Sequence, residues 1–263
     1  MKRLNSVLKY FVPVGLVVLV LFGTVGCSTL NKTRLLDAGT KAAQAATLTN
    51  AQIEQLSKEY MVWSDANNPI CNDSDPNQKK YSDRLKKILG NANTTVSGRK
   101  LNIKVYCISD RNAFACADGS IRIFAGLMDV MSDDEIFGII GHEIGHIANK
   151  DTKEAFRKAL LTSALLDVVG STGKTAATLT DSQLGRLAEA FSSAQFSQQQ
   201  EFAADDYGYN FLKKNGKNPK AMASALRKLQ QLFDDPKTDK SKIKQLFSTH
   251  PDSGKRAARL EKR

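Results

Sequence analysis

One short motif constrains this 263-residue chain more than any other feature of its sequence. The motif is His142-Glu-Ile-Gly-His146, and it lies in a stretch with clear helix signals. Ser132-Asp-Asp-Glu135 is a capping box that places acidic residues at the positive end of the helix dipole. Isoleucines then recur on one face up to about Asn149. Because residues four apart on a helix point the same way, both imidazoles can bind one ion from one side.

The chemistry of the motif favours zinc. Two neutral imidazole nitrogens and a carboxylate, with a fourth position open to water, form a typical catalytic zinc site. Glu143 lies next to the first ligand, where its carboxylate can take a proton from the metal-bound water and return it to the leaving amine. We therefore predict one Zn²⁺ per chain, held by His142 and His146, with Glu143 as the general base. Ligand type alone leaves Mn²⁺ and Co²⁺ as alternatives.

A third ligand must come from another element. Glu201 and Asp205 lie four residues apart in a helix predicted over 181–214, so their carboxylates share a face. We expect Glu201 to complete the zinc site and Asp205 to accept a hydrogen bond from a ligand imidazole, which fixes its tautomer. The alternative is a solvated acidic stripe, but the neighbours are apolar: Phe202, Ala203, Ala204 and Tyr207.

His250 is the one histidine outside the motif, and it precedes a proline. A lone histidine is most often structural. The functional alternatives are that it approaches the zinc and stabilises the oxyanion, or that it occupies the open position and keeps the enzyme inactive.

The N-terminus has the order of a secretory signal. Three basic residues precede an apolar run over 11–25, and Gly26-Cys27 follows. The segment 23–27 resembles a bacterial lipobox, in which the cysteine is lipidated and becomes the mature N-terminus; Ser28 in second position resembles outer-membrane lipoproteins. We predict a signal peptide over 1–26, then a lipidated tether and helix over 27–77; an uncleaved anchor is the alternative.

The positive charge is concentrated at one end of the chain. The net charge is +11, and residues 211–263 hold 15 basic and 5 acidic residues, whereas residues 27–210 are nearly balanced. A solvated helix surface explains this better than nucleic-acid binding, because aromatic residues are not interleaved with the basic ones.

Short strands precede the motif. Residues 101–108, 112–116 and 120–124 have strand patterns, and helices follow to the end, which predicts an α+β chain. If Cys27 is lipidated, Cys71, Cys107 and Cys116 can form one of three bridges. A hairpin centred on 111–112 can place Cys107 opposite Cys116, and Cys71 can reach either one.

Residues 141–146 with Glu201-x-x-Ala-Asp205 resemble the HtpX/LoiP-like gluzincin metallopeptidases, which are related to the CAAX prenyl proteases. The likeness covers about residues 78–263 and is carried further by these segments: Asn112-Ala-Phe-Ala115, Gly126-Leu-Met128, Phe196-Ser-Gln198 and Thr249-His-Pro251 with Arg256. The lipoprotein start is similar to the LoiP-type branch of this family, and the multi-span membrane domain of HtpX proper is missing.

This resemblance implies a zincin-like fold with a small mixed β-sheet, a mainly helical remainder, and a metallopeptidase domain over 78–263. It assigns the zinc ligands to His142, His146 and Glu201, and the base to Glu143. In this family the position of Asp205 is sometimes given a proton-donor role; we prefer the hydrogen-bond role, because a buried Asp beside imidazoles should stay ionised.

The resemblance further implies that Asn112, Ala113, Phe114 and Ala115 form an edge strand that binds an extended peptide by strand addition.

Together these features predict a zinc-dependent endopeptidase of the bacterial envelope. We expect it to be lipid-anchored to the outer membrane, to face the periplasm, and to cleave unfolded or misassembled envelope proteins. Binding to nucleic acid is not expected. The alternative function is an assembly chaperone that binds clients along the same strand and uses zinc for structure.

Overall fold

The computed structural model describes residues 48–165 and 179–263. Within these residues the helices are α1 (Asn50–Asn67), α2 (Pro76–Leu89), α3 (Ala125–Val130), α4 (Asp133–Ala148), α5 (Asp151–Thr162), α6 (Asp181–Ser192), α7 (Gln198–Lys214), α8 (Ala221–Asp234), α9 (Lys244–Thr249) and α10 (Ser253–Leu260). The strands are β1 (Thr95–Val96), β2 (Arg99–Lys100), β3 (Asn102–Tyr106), β4 (Ala113–Ala115) and β5 (Ser120–Phe124). A 3-10 turn, Lys240–Lys242, precedes α9.

The central sheet has three strands in the order β3-β5-β4. Strand β5 is parallel to β3 and antiparallel to β4, so the sheet is mixed. All five residues of β5 are buried, as expected for a strand between two neighbours. The predicted α+β fold with a small mixed sheet and a mainly helical remainder is confirmed.

Two apolar clusters form the core of the described residues. The larger one joins the sheet to α2, α4, α7, α8 and α10, and its centre includes Ile136, Phe137 and Ile140 from α4. The second joins α1, α5 and α6 around Tyr60, Phe156 and Phe191. Helix α4 therefore lies deep in the protein, where its side chains are fixed by packing on all sides.

The single helix predicted over 181–214 is wrong, because the chain breaks it into α6 and α7. Ser197 caps α7: its Oγ accepts a hydrogen bond from the Gln200 amide at 3.3 Å, and its own amide donates to Gln200 Oε1 at 2.8 Å. This reciprocal pair is a capping box, which starts a new helix. The extended residues between α6 and α7 bring Phe196 towards the two motif histidines.

The hairpin suggested between Cys107 and Cys116 does not form, because β5 lies between β3 and β4. Instead Cys107 forms a disulfide with Cys71, with the two Cα atoms 5.1 Å apart. The Cys71 amide donates to the Val105 carbonyl at 2.9 Å, and the Cys107 amide donates to the Pro69 carbonyl at 2.7 Å. Residues 69–71 thus cover one end of the outer edge of β3. Cys116 is a buried free thiol.

The hairpin of β1 and β2 was not expected from the sequence. Ser97 and Gly98 connect these two-residue strands with φ angles of 50° and 79°, as a tight hairpin turn requires. Two-residue strands are too short to show a period.

The predicted signal peptide, Cys27 and most of the tether lie outside the described residues. In 48–165 and 179–263, none of the helices combines the length and the apolar character needed to span a bilayer.

Candidate metal centre

Helix α4 carries both motif histidines and is fixed at its start. Ser132 Oγ accepts from the Glu135 amide at 3.3 Å, and Glu135 Oε2 accepts from the Ser132 amide at 2.7 Å. Ten residues further on, His142 and His146 are buried, and their Nε2 atoms lie 3.0 Å apart. The helix therefore points two imidazole nitrogens at one point inside the protein.

Glycines let the second ligand helix come close. Helix α7 packs along α4, and a Cβ added at Gly145 would lie 2.9 Å from Tyr207 Cβ and 3.0 Å from Ala204 Cα. At Gly141 a Cβ would lie 3.0 Å from Gly208 Cα. A Cβ at these distances would force the backbones apart, so Gly141 and Gly145 set the spacing at which Glu201 meets the histidines.

Glu201 lies across from the two imidazoles, as predicted. Its Oε1 is 3.5 Å from His146 Nε2, and its Oε2 is 3.7 Å from His142 Nε2. The side chain is fully buried, and its Oε2 forms an ion pair with Arg256 Nη1. A buried carboxylate is costly unless cations lie beside it.

Each motif histidine has a carboxylate behind it. Asp205 Oδ1 is 3.0 Å from His142 Nδ1, and Asp151 Oδ2 is 2.9 Å from His146 Nδ1. A carboxylate accepts, so each Nδ1 carries the proton, and a neutral ring then has its lone pair at Nε2. Two Nε2 atoms that lie 3.0 Å apart, beside the Glu201 carboxylate, fit a zinc ion bound by His142, His146 and Glu201.

Asp151 is not among the site residues predicted from the sequence. It follows His146 by five residues, directly after the turn that ends α4, and Lys150 in that turn has a left-handed φ of 67°. This turn folds the start of α5 back under the imidazole. A left-handed lysine has no sequence signature, so only the short separation from His146 points to the residue.

His250 lies inside the site. Its Nδ1 is 2.9 Å from Glu201 Oε1, and its Nε2 is 3.7 Å from Glu143 Oε1. His142, His146, Glu201 and His250 each offer a ligand atom, and these four atoms lie within 4.8 Å of one another. The structure thus brings His250 to the place that both functional alternatives require.

Arg256 is the second residue whose role the sequence analysis missed. It is buried, its Nε is 2.9 Å from Asp205 Oδ2, and its Nη1 forms an ion pair with Glu201 Oε2. Among the described residues it is the only Lys or Arg with a nitrogen within 4 Å of a carboxylate of the centre. A separation of 51 residues from Asp205 leaves no local pattern to find.

The electrostatics of the centre favour a bound cation. Burial raises the pKa of Glu201, but the charges of His250 and Arg256 outweigh it and hold the pKa well below its usual value. Burial also raises the pKa of Asp205, but hydrogen bonds with Arg256 hold this pKa below its usual value. The Asp205 carboxylate is therefore ionised, which suits a hydrogen-bond acceptor better than a proton donor. Burial lowers the pKa of His146, yet hydrogen bonds with Asp151 and Glu201 raise it to about 9.

Glu143 opens onto a cleft beside the centre. The wall on one side consists of Asn112 and of Phe114 and Ala115 from β4. The remaining lining residues come mainly from α6, the 193–197 segment and α9, and most are apolar: Tyr60, Ala155, Phe191, Ser192, Ala194, Phe196, Gln245, Thr249 and His250. The cleft therefore joins the predicted base to the predicted substrate strand.

Strand β4 lies at the edge of the sheet. The Phe124 amide donates to the Asn112 carbonyl at 2.9 Å, and the Cys116 amide donates to the Ser120 carbonyl at 2.8 Å. Because bonded and non-bonded residues alternate in an antiparallel pair, the backbone groups of Ala113 and Ala115 face away from β5. The Ala113 amide is held by Asn112 Oδ1 at 3.0 Å, which leaves its carbonyl and both groups of Ala115 on the open edge.

Comparison with known proteins gives the family. The model of peptidase family M48 matches residues 77–263. The chain belongs to peptidase family M48. It is 37% identical over 238 residues to Metalloprotease LoiP of Escherichia coli (strain K12), which covers 90% of each chain. It is 33% identical over 228 residues to Metalloprotease YcaL of the same organism, covering 87% of this chain and 86% of that protein.

A more distant relative is a Protease HtpX homolog of Salinibacter ruber, 30% identical over 178 residues, which covers 57% of this chain and 63% of that protein. The resemblance inferred from the motifs is thereby confirmed, as is the prediction of a metallopeptidase.

Proposed function

We propose that this M48 metallopeptidase is a zinc-dependent endopeptidase that hydrolyses unfolded or misassembled proteins of the cell envelope. One observation carries the proposal: two imidazole lone pairs and the Glu201 carboxylate converge on one point beside a cleft that also contains Glu143. His142, His146 and Glu201 would hold the ion. When bound, zinc supplies Lewis-acid chemistry and lowers the pKa of the bound water to about 7.

The protein supplies the proton transfers. Glu143 is nearly fully buried and lies one residue from a ligand, so its carboxylate takes the proton of the attacking water. The same oxygen then returns the proton to the nitrogen of the leaving amine. Phe196 stacks on the His146 ring with centroids 3.9 Å apart, which keeps bulk water from that face of the centre.

The open edge of β4 accounts for the substrate class. An extended peptide can pair with Ala113 and Ala115 through backbone hydrogen bonds, which carry little sequence information. Folded proteins do not offer free extended segments, so this edge selects unfolded ones. The apolar wall with Phe114, Phe191 and Phe196 adds a preference for apolar side chains next to the cleaved bond.

The proposed location rests on the N-terminal sequence. The basic residues, the apolar run and Cys27 favour export and lipidation, with outer-membrane placement and a periplasmic face. Mass spectrometry of membrane-extracted protein tests this: an acylated Cys27 at the mature N-terminus is expected, and a chain that retains residues 1–26 would show an uncleaved anchor instead. The division of the chain into a signal peptide (1–26), a lipidated tether and helix (27–77) and a metallopeptidase domain (78–263) is part of the same proposal.

The decisive experiment is Glu143→Gln. The substitution keeps the size of the side chain and removes the base, so we expect cleavage of unfolded casein or a misfolded porin to fall by about 10²–10⁴-fold. Bound zinc, measured by metal analysis, should stay at one per chain, and His146→Ala should lose it. Equal behaviour of wild type and Glu143→Gln would favour the chaperone that uses zinc for structure.

His250→Ala separates the alternatives for that residue. With Nδ1 at 2.9 Å from Glu201 Oε1, His250 is close enough either to stabilise the oxyanion or to occupy the open position. Lower activity supports the first role and higher activity supports the second. Unchanged activity with a lower melting temperature would assign His250 to structure alone.

A further inference from the structure

The C-terminal helix α10 places an arginine between the two acidic residues of α7. Arg256 is 2% exposed, and its guanidinium uses separate nitrogens for separate partners. Nε and Nη2 bind the two oxygens of Asp205 at 2.9 and 2.6 Å, and Nη1 forms an ion pair with Glu201 Oε2. One rigid, planar group therefore contacts both carboxylates.

The two carboxylates need such a partner. Glu201 and Asp205 are four residues apart on one helix face, and both are completely buried. Like charges at this spacing repel, and burial strengthens the repulsion because water does not screen it. Glu201 must nevertheless present its carboxylate to the histidines, and Asp205 must face His142 Nδ1 at 3.0 Å. A permanent positive charge between them lets both hold these positions.

We propose that Arg256 is a positioning residue of the metal centre, which makes α10 part of the site. Its guanidinium orients Glu201 towards the ion and holds Asp205 behind His142, so that the ligand set is formed before the metal arrives. The inference rests on the proposed zinc site and adds to it a residue from the C-terminal helix. Preorganised ligands bind a metal more tightly than ligands that must first be ordered.

The same helix offers a matched control. Arg259 lies one turn beyond Arg256 on α10, and it binds Asp206 Oδ2 of α7 at 2.5 Å. This pair also joins α10 to α7, but its side chains are about 30% exposed and it does not touch the ligands. Loss of Arg259 thus tests the docking of the helix, whereas loss of Arg256 tests the centre.

The experiment measures zinc affinity of the full chain by competition with a chromophoric chelator, for wild type, Arg256→Met, Arg256→Lys and Arg259→Met. We expect Arg256→Met to bind zinc 10–100-fold more weakly and Arg259→Met to stay within about twofold. Arg256→Lys should fall between them, since an ammonium keeps the charge but cannot bind both carboxylates in the fork geometry.

A second readout separates positioning from structure. A structural role alone lowers the melting temperature of metal-free and zinc-loaded protein equally, whereas a positioning role shrinks the increase that zinc produces. Wild-type zinc affinity in a folded Arg256→Met overturns the inference. If that variant does not fold, wild-type affinity in Arg256→Lys overturns it. Failure of wild type itself to bind zinc would overturn the proposed function instead.

Discussion

Two arginines are buried among the described residues, and their surroundings differ in charge. Arg122, on β5, is 1% exposed and binds both oxygens of Asp65 at 2.8 Å, while its Nη1 donates to the Asn102 carbonyl at 2.9 Å. Lys104 adds a second positive charge at 3.2 Å from Asp65. This cluster, which ties α1 to the sheet, has more basic than acidic groups, and all its charges are paired.

Arg256 has the opposite balance. The metal centre that it joins holds four buried acidic side chains: Glu201, Asp205 and Glu143, whose charges act on Arg256, and Asp151 at His146. Burying charged groups without compensation is unfavourable, so this second cluster is complete only with a further cation. A buried arginine by itself therefore does not mark a functional site. An excess of buried acidic groups around the arginine marks such a site. Three predictions test this comparison of the Arg122 and Arg256 clusters.

The largest expected effect on stability is at the first cluster. Arg122→Met leaves Asp65 without its main partner, and we expect the free energy of unfolding to fall by about 3 kcal/mol, measured by urea denaturation. Zinc affinity should not change. Lys104→Met, which removes the half-exposed partner, should cost less than about 1 kcal/mol. A tenfold loss of zinc affinity in Arg122→Met would show that the two clusters are coupled.

A smaller effect is expected at Asp151, which accepts the hydrogen bond of His146 Nδ1. Asp151→Ala removes the acceptor that holds Nδ1 at 2.9 Å, so zinc affinity should fall 10–100-fold, which is about 1.4–2.7 kcal/mol. The metal-free protein should lose less stability than this, since one of the surplus acidic groups is gone. Glu154→Ala, an exposed position on the same turn of α5, is the control. Equal zinc affinity in Asp151→Ala and wild type would contradict the assignment.

The smallest effect is a pH dependence. Burial raises the pKa of Asp65, but hydrogen bonds from Arg122 and Tyr106 lower it more, so the folded pKa lies below the unfolded one. The ionised form is then stabilising above the unfolded pKa of about 3.9, and this stability is lost as pH falls further. In metal-free protein, the gap in urea midpoint between wild type and Asp65→Asn should narrow from pH 5 to pH 3. A constant gap would exclude this linkage.

The sequence predicts those parts of the site that depend on helix period. His142 and His146 share a face because they are four apart, and the capping box at Ser132 sets where their helix begins. Glu201 was predicted from the same spacing to Asp205 and from its apolar neighbours. These relations join residues that are close together in the sequence, so they can be read from one amino-acid sequence.

Contacts between distant segments were not predictable in this way. Arg256 meets Asp205 only because α10 packs on α7, and Cys71 meets Cys107 only because residues 69–71 pair with β3. Asp151 depends on one left-handed turn at Lys150. The break between α6 and α7 does have a sequence signal, because Ser197 and Gln200 have the spacing of a capping box. The apolar periodicity on both sides of the break favoured a single helix instead.

The disulfide at Cys71 has a consequence for self-association. A three-stranded sheet has two borders, and either can recruit a strand from a second molecule and begin aggregation. Covalent attachment of residues 69–71 obstructs this at β3, where the Val105 carbonyl is already occupied by the Cys71 amide. Growth of the sheet is thereby directed to the β4 side, where an added strand would lie beside the cleft that contains Glu143.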